Sequence, residues 1–152
     1  MDINKDITVA VGADHAGFTL KNMVYAHLKE KSIAVDDFGT DSSVSVDYPD
    51  VGLRVAENVA AGKHDYGILI CGSGIGMSIV ANKVTHVRAA LCTDEKMAEM
   101  SRRHNNANVL TLGSRFLEPE KALLITATFL STPFDAGRHE RRIGKIHSLT
   151  GK

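Results

Sequence analysis

Residues 66–83, Y-G-I-L-I-C-G-S-G-I-G-M-S-I-V-A-N-K, constrain the fold more than any other stretch of the chain. Ile68, Leu69, Ile70 and Cys71 run together without polar alternation, the pattern of a strand buried on both faces in a parallel sheet. Gly72, Gly74 and Gly76 then interrupt the apolar run, and a helix is expected over residues 75–83. Glycines at such a turn reach dihedrals closed to other residues. They also leave N–H groups unobstructed at a helix N-terminus, where negative charge is favoured. The loop therefore suits an anion or a developing oxyanion. Cys71 ends the strand beside those amides, which favour its thiolate form. A small core residue finishing a strand would occupy the same position.

The rest of the chain repeats this strand-then-helix grammar. Strands are expected at residues 7–13, 33–38, 87–92 and 109–112, and helices at 18–31, 49–61, 94–104 and 118–130. In the first helix Leu20, Met23, Val24, His27 and Leu28 fall on one face at helical spacing. Pro49 and Pro119 are placed to open their helices, and Asp94 to cap its own. Five strands alternating with five helices predict a three-layer α/β, Rossmann-like domain with a five-stranded parallel sheet. Ligands in such sheets bind beyond the carboxyl ends of the strands, where the strand order reverses. Asp14 and His15, Cys71 with its glycine loop, Asp94 and Arg115 all follow strands and should share that edge. The tail from about residue 133 is different, carrying Gly137-Arg138-His139-Glu140-Arg141-Arg142 in a chain of zero formal net charge.

One domain accounts for 152 residues, with no internal repeat or linker. Eighteen basic residues balance eighteen acidic ones, so no global field points to nucleic acid or an anionic membrane, and anion recognition must be local. Two cysteines without C-x-x-C spacing fit a reducing compartment. With neither a basic leader before an apolar stretch nor a membrane-length apolar run, the expectation is a soluble cytoplasmic protein. The glycine spacing is G-x-G-x-G with Met77 where a dinucleotide fingerprint wants its third glycine, and no G-K-[ST] follows; nucleotide binding is the weaker reading. His15, His104 and His139 show no metal-ligand spacing, so no metal is expected. Arg115 and the tail arginines are either a solvated face or a phosphate site, since guanidinium forks match phosphate oxygens.

Nearly the whole chain, residues 7–146, resembles the ribose-5-phosphate isomerase B family, which also includes galactose-6-phosphate isomerase subunits. The resemblance is carried by Gly12-Ala13-Asp14-His15-Ala16-Gly17, Asp47-Tyr48-Pro49, Ile70-Cys71-Gly72-Ser73-Gly74-Ile75-Gly76, Ala81-Asn82-Lys83, Arg88-Ala89, His104-Asn105 with Asn108-Val109, Gly113-Ser114-Arg115, and Gly137-Arg138-His139 with Arg142. It implies a cofactor-free aldose-ketose isomerase acting on a sugar phosphate through an enediolate. Cys71 would be the base, Ser73 and the amides after Gly72 the oxyanion site, and His104 the group assisting ring opening. Asp14, Tyr48 and Asn105 would contact sugar oxygens, while His15, Arg115, Arg138, His139 and Arg142 gather the phosphate. The resemblance further implies a homodimer, or a dimer of dimers, in which His104 and the tail reach a partner's Cys71.

Two departures bear on this. Many members carry Thr where this chain has Ser73, which keeps the hydroxyl. Another branch replaces the cysteine by Gly and carries a glutamate base at the position of Met77, so Cys71 with Met77 resembles the thiolate branch. A six-carbon sugar phosphate is the alternative substrate, and a nonenzymatic sugar-phosphate or nucleotide-binding module the alternative class.

Overall fold

The computed structural model describes residues 2–152. Strands β1 (Thr8–Ala13), β2 (Ala34–Asp37), β3 (Tyr66–Cys71), β4 (Ala89–Leu91) and β5 (Val109–Gly113) form a single sheet in the order β2-β1-β3-β5-β4. Every neighbouring pair is parallel. Helices α1 (Phe18–Glu30), α2 (Tyr48–Ala60), α3 (Ile75–Ala81) and α4 (Glu95–Asn105) supply the four crossovers, as the alternation of patterns requires, and α5 (Pro119–Ser131) follows the last strand.

Because successive strand side chains point to opposite faces, each strand feeds two cores. Val9, Val11, Ile68, Ile70, Leu110 and Leu112 pack with Leu20, Val24 and Leu28 of α1, Ala98 of α4, and Ile125 and Phe129 of α5. Ala10, Leu69, Cys71 and Val109 face the other way, against Val51, Val55 and Val59 of α2 and Met77 and Ala81 of α3. The expected three layers are present. The chain runs from β1 outward to β2, then returns across β1 to β3, so the order reverses between β1 and β3. A crevice beyond the carboxyl ends of these two strands follows from that reversal.

Pro49 and Pro119 lie in the first turns of α2 and α5, and Asp94 caps α4 by accepting from the Met97 N–H at 2.8 Å. The expectations differ from the structure in three places. The tail is a sixth helix, α6 (Arg138–Thr150), which the reading of the tail as a basic cluster did not include; it buries one residue, Ile143, and leaves Ile146 and Leu149 exposed. One such side chain contributes about 1.5–3 kcal/mol, so apolar burial in this chain holds α6 only lightly. Within α1, Met23 is 39% exposed and His27 half-buried, while Lys21 is 1% exposed on the same face as Val24 and Leu28. Strand β4 covers three residues of the expected six. No helix among the described residues is long and apolar enough to cross a membrane.

Candidate active site

The turn after β3 owes its shape to Gly74, whose φ of +77° is left-handed. A Cβ there would lie 2.6 Å from Leu91 Cδ1 and 2.9 Å from the Leu112 carbonyl carbon, so only glycine fits. This turn aims the Gly74 N–H at the Cys71 sulfur, 3.1 Å away. Ser73 Oγ accepts from the Ile75 N–H at 3.2 Å, which holds its hydroxyl at the rim of the loop. Cys71 is 4% exposed and also belongs to the α2/α3 core, so both readings of it describe part of its position.

The segment after β5 is stitched onto this loop. The Ser114 N–H donates to the Cys71 carbonyl at 2.9 Å and the Arg115 N–H to the Gly72 carbonyl at 3.0 Å. The Arg115 guanidinium lies over Gly72, its Nη1 3.2 Å from where a Cβ would stand. On the other side the Tyr48 ring rests on Gly76, where a Cβ would fall 2.6 Å from its Cζ. The loop after β1 completes the edge. The Asp14 N–H donates to the Ile70 carbonyl at 3.2 Å, and Asp14 Oδ1 accepts from the Gly17 N–H at 3.0 Å, leaving Oδ2 for a ligand. His15 Nδ1 accepts from the Val46 N–H at 3.2 Å. A neutral imidazole bonded in this way carries its proton on Nε2, as a donor. Asp14, His15, Tyr48, Cys71, Ser73 and Arg115 therefore meet where the switch point predicts.

The remaining expected residues gather elsewhere. Helix α4 leaves the carboxyl edge at Asp94 and descends to Asn105, and at 1.5 Å per residue His104 lies about 15 Å away, at the amino edge of the sheet. There it stacks on His139, ring centroids 4.3 Å apart and planes 7° from parallel. Arg103 secures the start of the tail, its Nε donating to both carboxylate oxygens of Asp135 at 3.1 and 3.2 Å. Desolvation first, and then the charges of His104, Arg138 and Arg142, hold the His139 imidazole below its usual pKa, against the pull of Asp135. A cluster in which every cation raises the cost of the next is relieved by an anion. Asn105, beside His104, gives its carbonyl to Arg88 Nε at 3.0 Å and leaves its side chain exposed. One chain thus places its expected site residues in two groups at opposite edges of the sheet.

Asn82 and Asn108 are latches. Asn82 exchanges hydrogen bonds with both backbone groups of Ala89, and Asn108 accepts from the Arg88 N–H and donates to the His86 carbonyl. Sequence reasoning missed Lys21 altogether. Its ammonium donates to Asp37 at 2.6 and 2.7 Å and to the Thr40 carbonyl at 2.8 Å, beside the carboxyl edge. The signal was available: Lys21 lies three and seven residues before Val24 and Leu28, on the buried stripe. No group of three or more His, Cys, Asp or Glu side chains among the described residues could hold a metal ion.

Comparison with known proteins gives a consistent picture. The family model described as Ribose/Galactose Isomerase matches residues 9–146. Ribose-5-phosphate isomerase B of Escherichia coli K12 is 45% identical over 141 residues, 93% of this chain and 95% of that protein. The structure of the Clostridium thermocellum ribose-5-phosphate isomerase B superposes with a TM-score of 0.94 at 49% identity, covering 95% of this chain and 98% of the other. The Mycoplasma genitalium ribose-5-phosphate isomerase B, crystallised with bound ribulose-5-phosphate, gives a TM-score of 0.92 at 42% identity over 98% and 99% of the two chains.

Proposed function

The chain belongs to the ribose/galactose isomerase family, and from that premise we propose that it interconverts ribose 5-phosphate and ribulose 5-phosphate through an enediolate, with Cys71 as the base. The observation that carries this reading is the Gly74 N–H on the Cys71 sulfur, in the switch-point crevice that also holds Asp14, Ser73 and Arg115. Removing a proton from a carbon next to a carbonyl leaves negative charge on oxygen. Preorganised amide and hydroxyl donors stabilise that charge where it forms. Ser73 Oγ and the loop amides are such donors. The sulfur takes the proton from C2 of the aldose and returns it to C1. Asp14 Oδ2 and Tyr48 hold sugar hydroxyls, Asn105 contacts sugar oxygens, and the imidazole of His104 moves the proton that opens the sugar ring.

The phosphate supplies orientation, and its binding energy holds the reacting carbons against the sulfur. His15 and Arg115 meet it from one chain, and Arg138, His139 and Arg142 from a second. A two-fold dimer places one chain's amino-edge cluster over the other's glycine loop, twice over. Ile75 and Ile79, one turn apart on α3 and exposed, offer apolar surface for that contact. Two free thiols suit a reducing compartment, the cytoplasm in this reading.

Turnover of ribose 5-phosphate in deuterated water tests the proposal. Wild-type protein should form ribulose 5-phosphate with solvent deuterium entering the sugar, and Cys71→Ala should bind without exchange. Binding with no exchange in the wild type would reduce the protein to a sugar-phosphate binding module. Parallel kinetics with allose 6-phosphate and galactose 6-phosphate fix the substrate length. Subunit mixing tests the shared site: Cys71→Ala and His104→Ala proteins, each inactive, should recover about a quarter of wild-type activity when combined, because one site in each mixed dimer is intact.

A further inference from the structure

Lys21 is among the largest fully buried side chains of the described residues, and the chemistry described so far makes no use of it. A buried ammonium without partners is heavily penalised, and this one has three acceptors for its three protons. Two are the carboxylate oxygens of Asp37 and the third is the Thr40 carbonyl. Asp37 Oδ1 also accepts from the Gly39 N–H at 2.8 Å, so a single ion pair fixes the backbone at both Gly39 and Thr40. Those two residues clamp the end of β1. The Ala13 N–H donates to the Gly39 carbonyl and the Thr40 N–H to the Ala13 carbonyl, each at 2.7 Å. Asp14 and His15 come immediately after Ala13.

The far end of the same loop returns to the same place, because Val46 presents its N–H to His15 Nδ1 at 3.2 Å. Residues 38–47 are thus a strap tied twice to the β1 exit, once at Ala13 and once at His15. Between the ties the strap is mostly exposed: Asp41, Ser43, Val44 and Ser45 all face solvent. Its geometry depends on its anchored end. A loop with little apolar burial moves readily when its polar anchor is lost.

We propose that Lys21, through Asp37 and the Gly39–Thr40 backbone, is a positioning residue for His15: it sets the strap that delivers the Val46 N–H to Nδ1 and so keeps the His15 proton on Nε2, facing the substrate anion. The inference rests on the isomerase reading for its kinetic consequence only; the orientation of His15 is measurable without turnover.

The test is a double-mutant cycle. Lys21→Met keeps the stem of the side chain and removes the ammonium. With folded protein confirmed by circular dichroism, it should raise KM for ribose 5-phosphate about tenfold and change kcat by less than threefold, with weaker competitive inhibition by inorganic phosphate. In a His15→Ala background the same substitution should raise KM less than about twofold further, since the group it serves is gone. Lys21→Arg should restore part of the affinity. A merely structural role lowers the folded fraction and apparent kcat while leaving KM alone; that result, or full additivity with His15→Ala, overturns the proposal. If Lys21→Met fails to fold, Asp37→Asn loosens the same tie and is read in the same cycle. Imidazole nitrogen chemical shifts give the second readout: the Nδ1 acceptor signature of His15 should be lost on substitution at Lys21 or Asp37, and its persistence would refute the bracing. Should the wild type fail to isomerise ribose 5-phosphate, the isomerase reading falls alone, while the His15 signals still decide the strap.

Discussion

The two thiols of this chain sit at the ends of parallel strands, Cys71 as the last residue of β3 and Cys92 just after β4, both below the protein surface and free of disulfides, yet they occupy opposite chemical settings. Cys71 ends β3 and is followed by G-S-G-I-G; its sulfur receives the Gly74 N–H at 3.1 Å, on the α2/α3 face. Cys92 follows β4 and is succeeded by Thr-Asp-Glu; it lies in the core with Ala98 and is 1% exposed. Its S–H turns to the Ala90 carbonyl, 3.8 Å away. Burial pushes the Cys92 thiol up to about 11, with Asp94 adding to the rise and a hydrogen bond from Ser101 opposing it. The setting of a sulfur at a strand end is thus decided by the next few residues. A glycine turn brings a backbone N–H onto the Cys71 sulfur, whereas at Cys92 burial outweighs the one hydroxyl that α4 offers.

The largest expected effect tests this contrast directly. Cys71→Ala should lower kcat for ribose 5-phosphate by on the order of 10²–10⁴-fold, the range a positioned acid-base group supplies. Cys92→Ala should leave kcat within about twofold, since the site keeps its geometry. Steady-state assays on both variants check the pair. Comparable losses in the two would mean that these thiols share a packing role and that Cys71 has no special chemistry. Next in size is the turn itself. Gly74→Ala must place a side chain at φ +77° and against Leu91 and the Leu112 backbone. Left-handed strain and overpacking together should cost about 2–4 kcal/mol, read as a lower urea midpoint with unchanged slope. Activity should fall beyond the loss of folded protein, because the Gly74 N–H no longer meets the sulfur. A destabilised variant with wild-type kcat would show that this amide is dispensable.

The same contrast explains how much of the molecule could be read from its residues. Local signals carried the frame: Ile68 to Cys71 as a doubly buried strand, Pro49, Pro119 and Asp94 at helix starts, and an edge where Asp14, Cys71 and Arg115 follow strands. Those signals depend on neighbours in sequence, and the structure keeps them. What depends on partners far along the chain stayed hidden. Lys21, on α1, is polar by composition and buried because Asp37 at the end of β2 meets it. Helix α6 buries Ile143 alone, and Ile146 and Leu149, which follow it at helical spacing, stay exposed, so its short apolar stripe is easily passed over beside the basic cluster. The separation of His104 and the tail from Cys71 follows from the direction of α4, which an ordered list of motifs does not convey. Eight short motifs pointed to the family, whereas placing their residues required the topology.

The smallest effect concerns Cys92 alone and fixes its side of the contrast in solution. An acid whose pKa is raised on folding stays protonated in the native state after the unfolded chain has begun to lose its proton. Below about pH 9 both states hold the proton and Cys92 contributes nothing to the pH dependence of stability. From about 9 to about 11 the unfolded state ionises first, so native stability falls; above 11 both states are ionised and the fall stops. A rise from 9.0 to about 11 corresponds to a loss on the order of 3 kcal/mol across that window. Cys92→Ala removes this component while every tyrosine and lysine contributes as before. Urea unfolding at pH 8 and pH 10.5 should therefore show a smaller alkaline loss in Cys92→Ala than in the wild type, even if the variant starts less stable for want of the buried sulfur. Equal losses in the two proteins would mean that Cys92 ionises in place, that its pocket is open to solvent, and that what separates the two thiols is position in the sheet and not their surroundings.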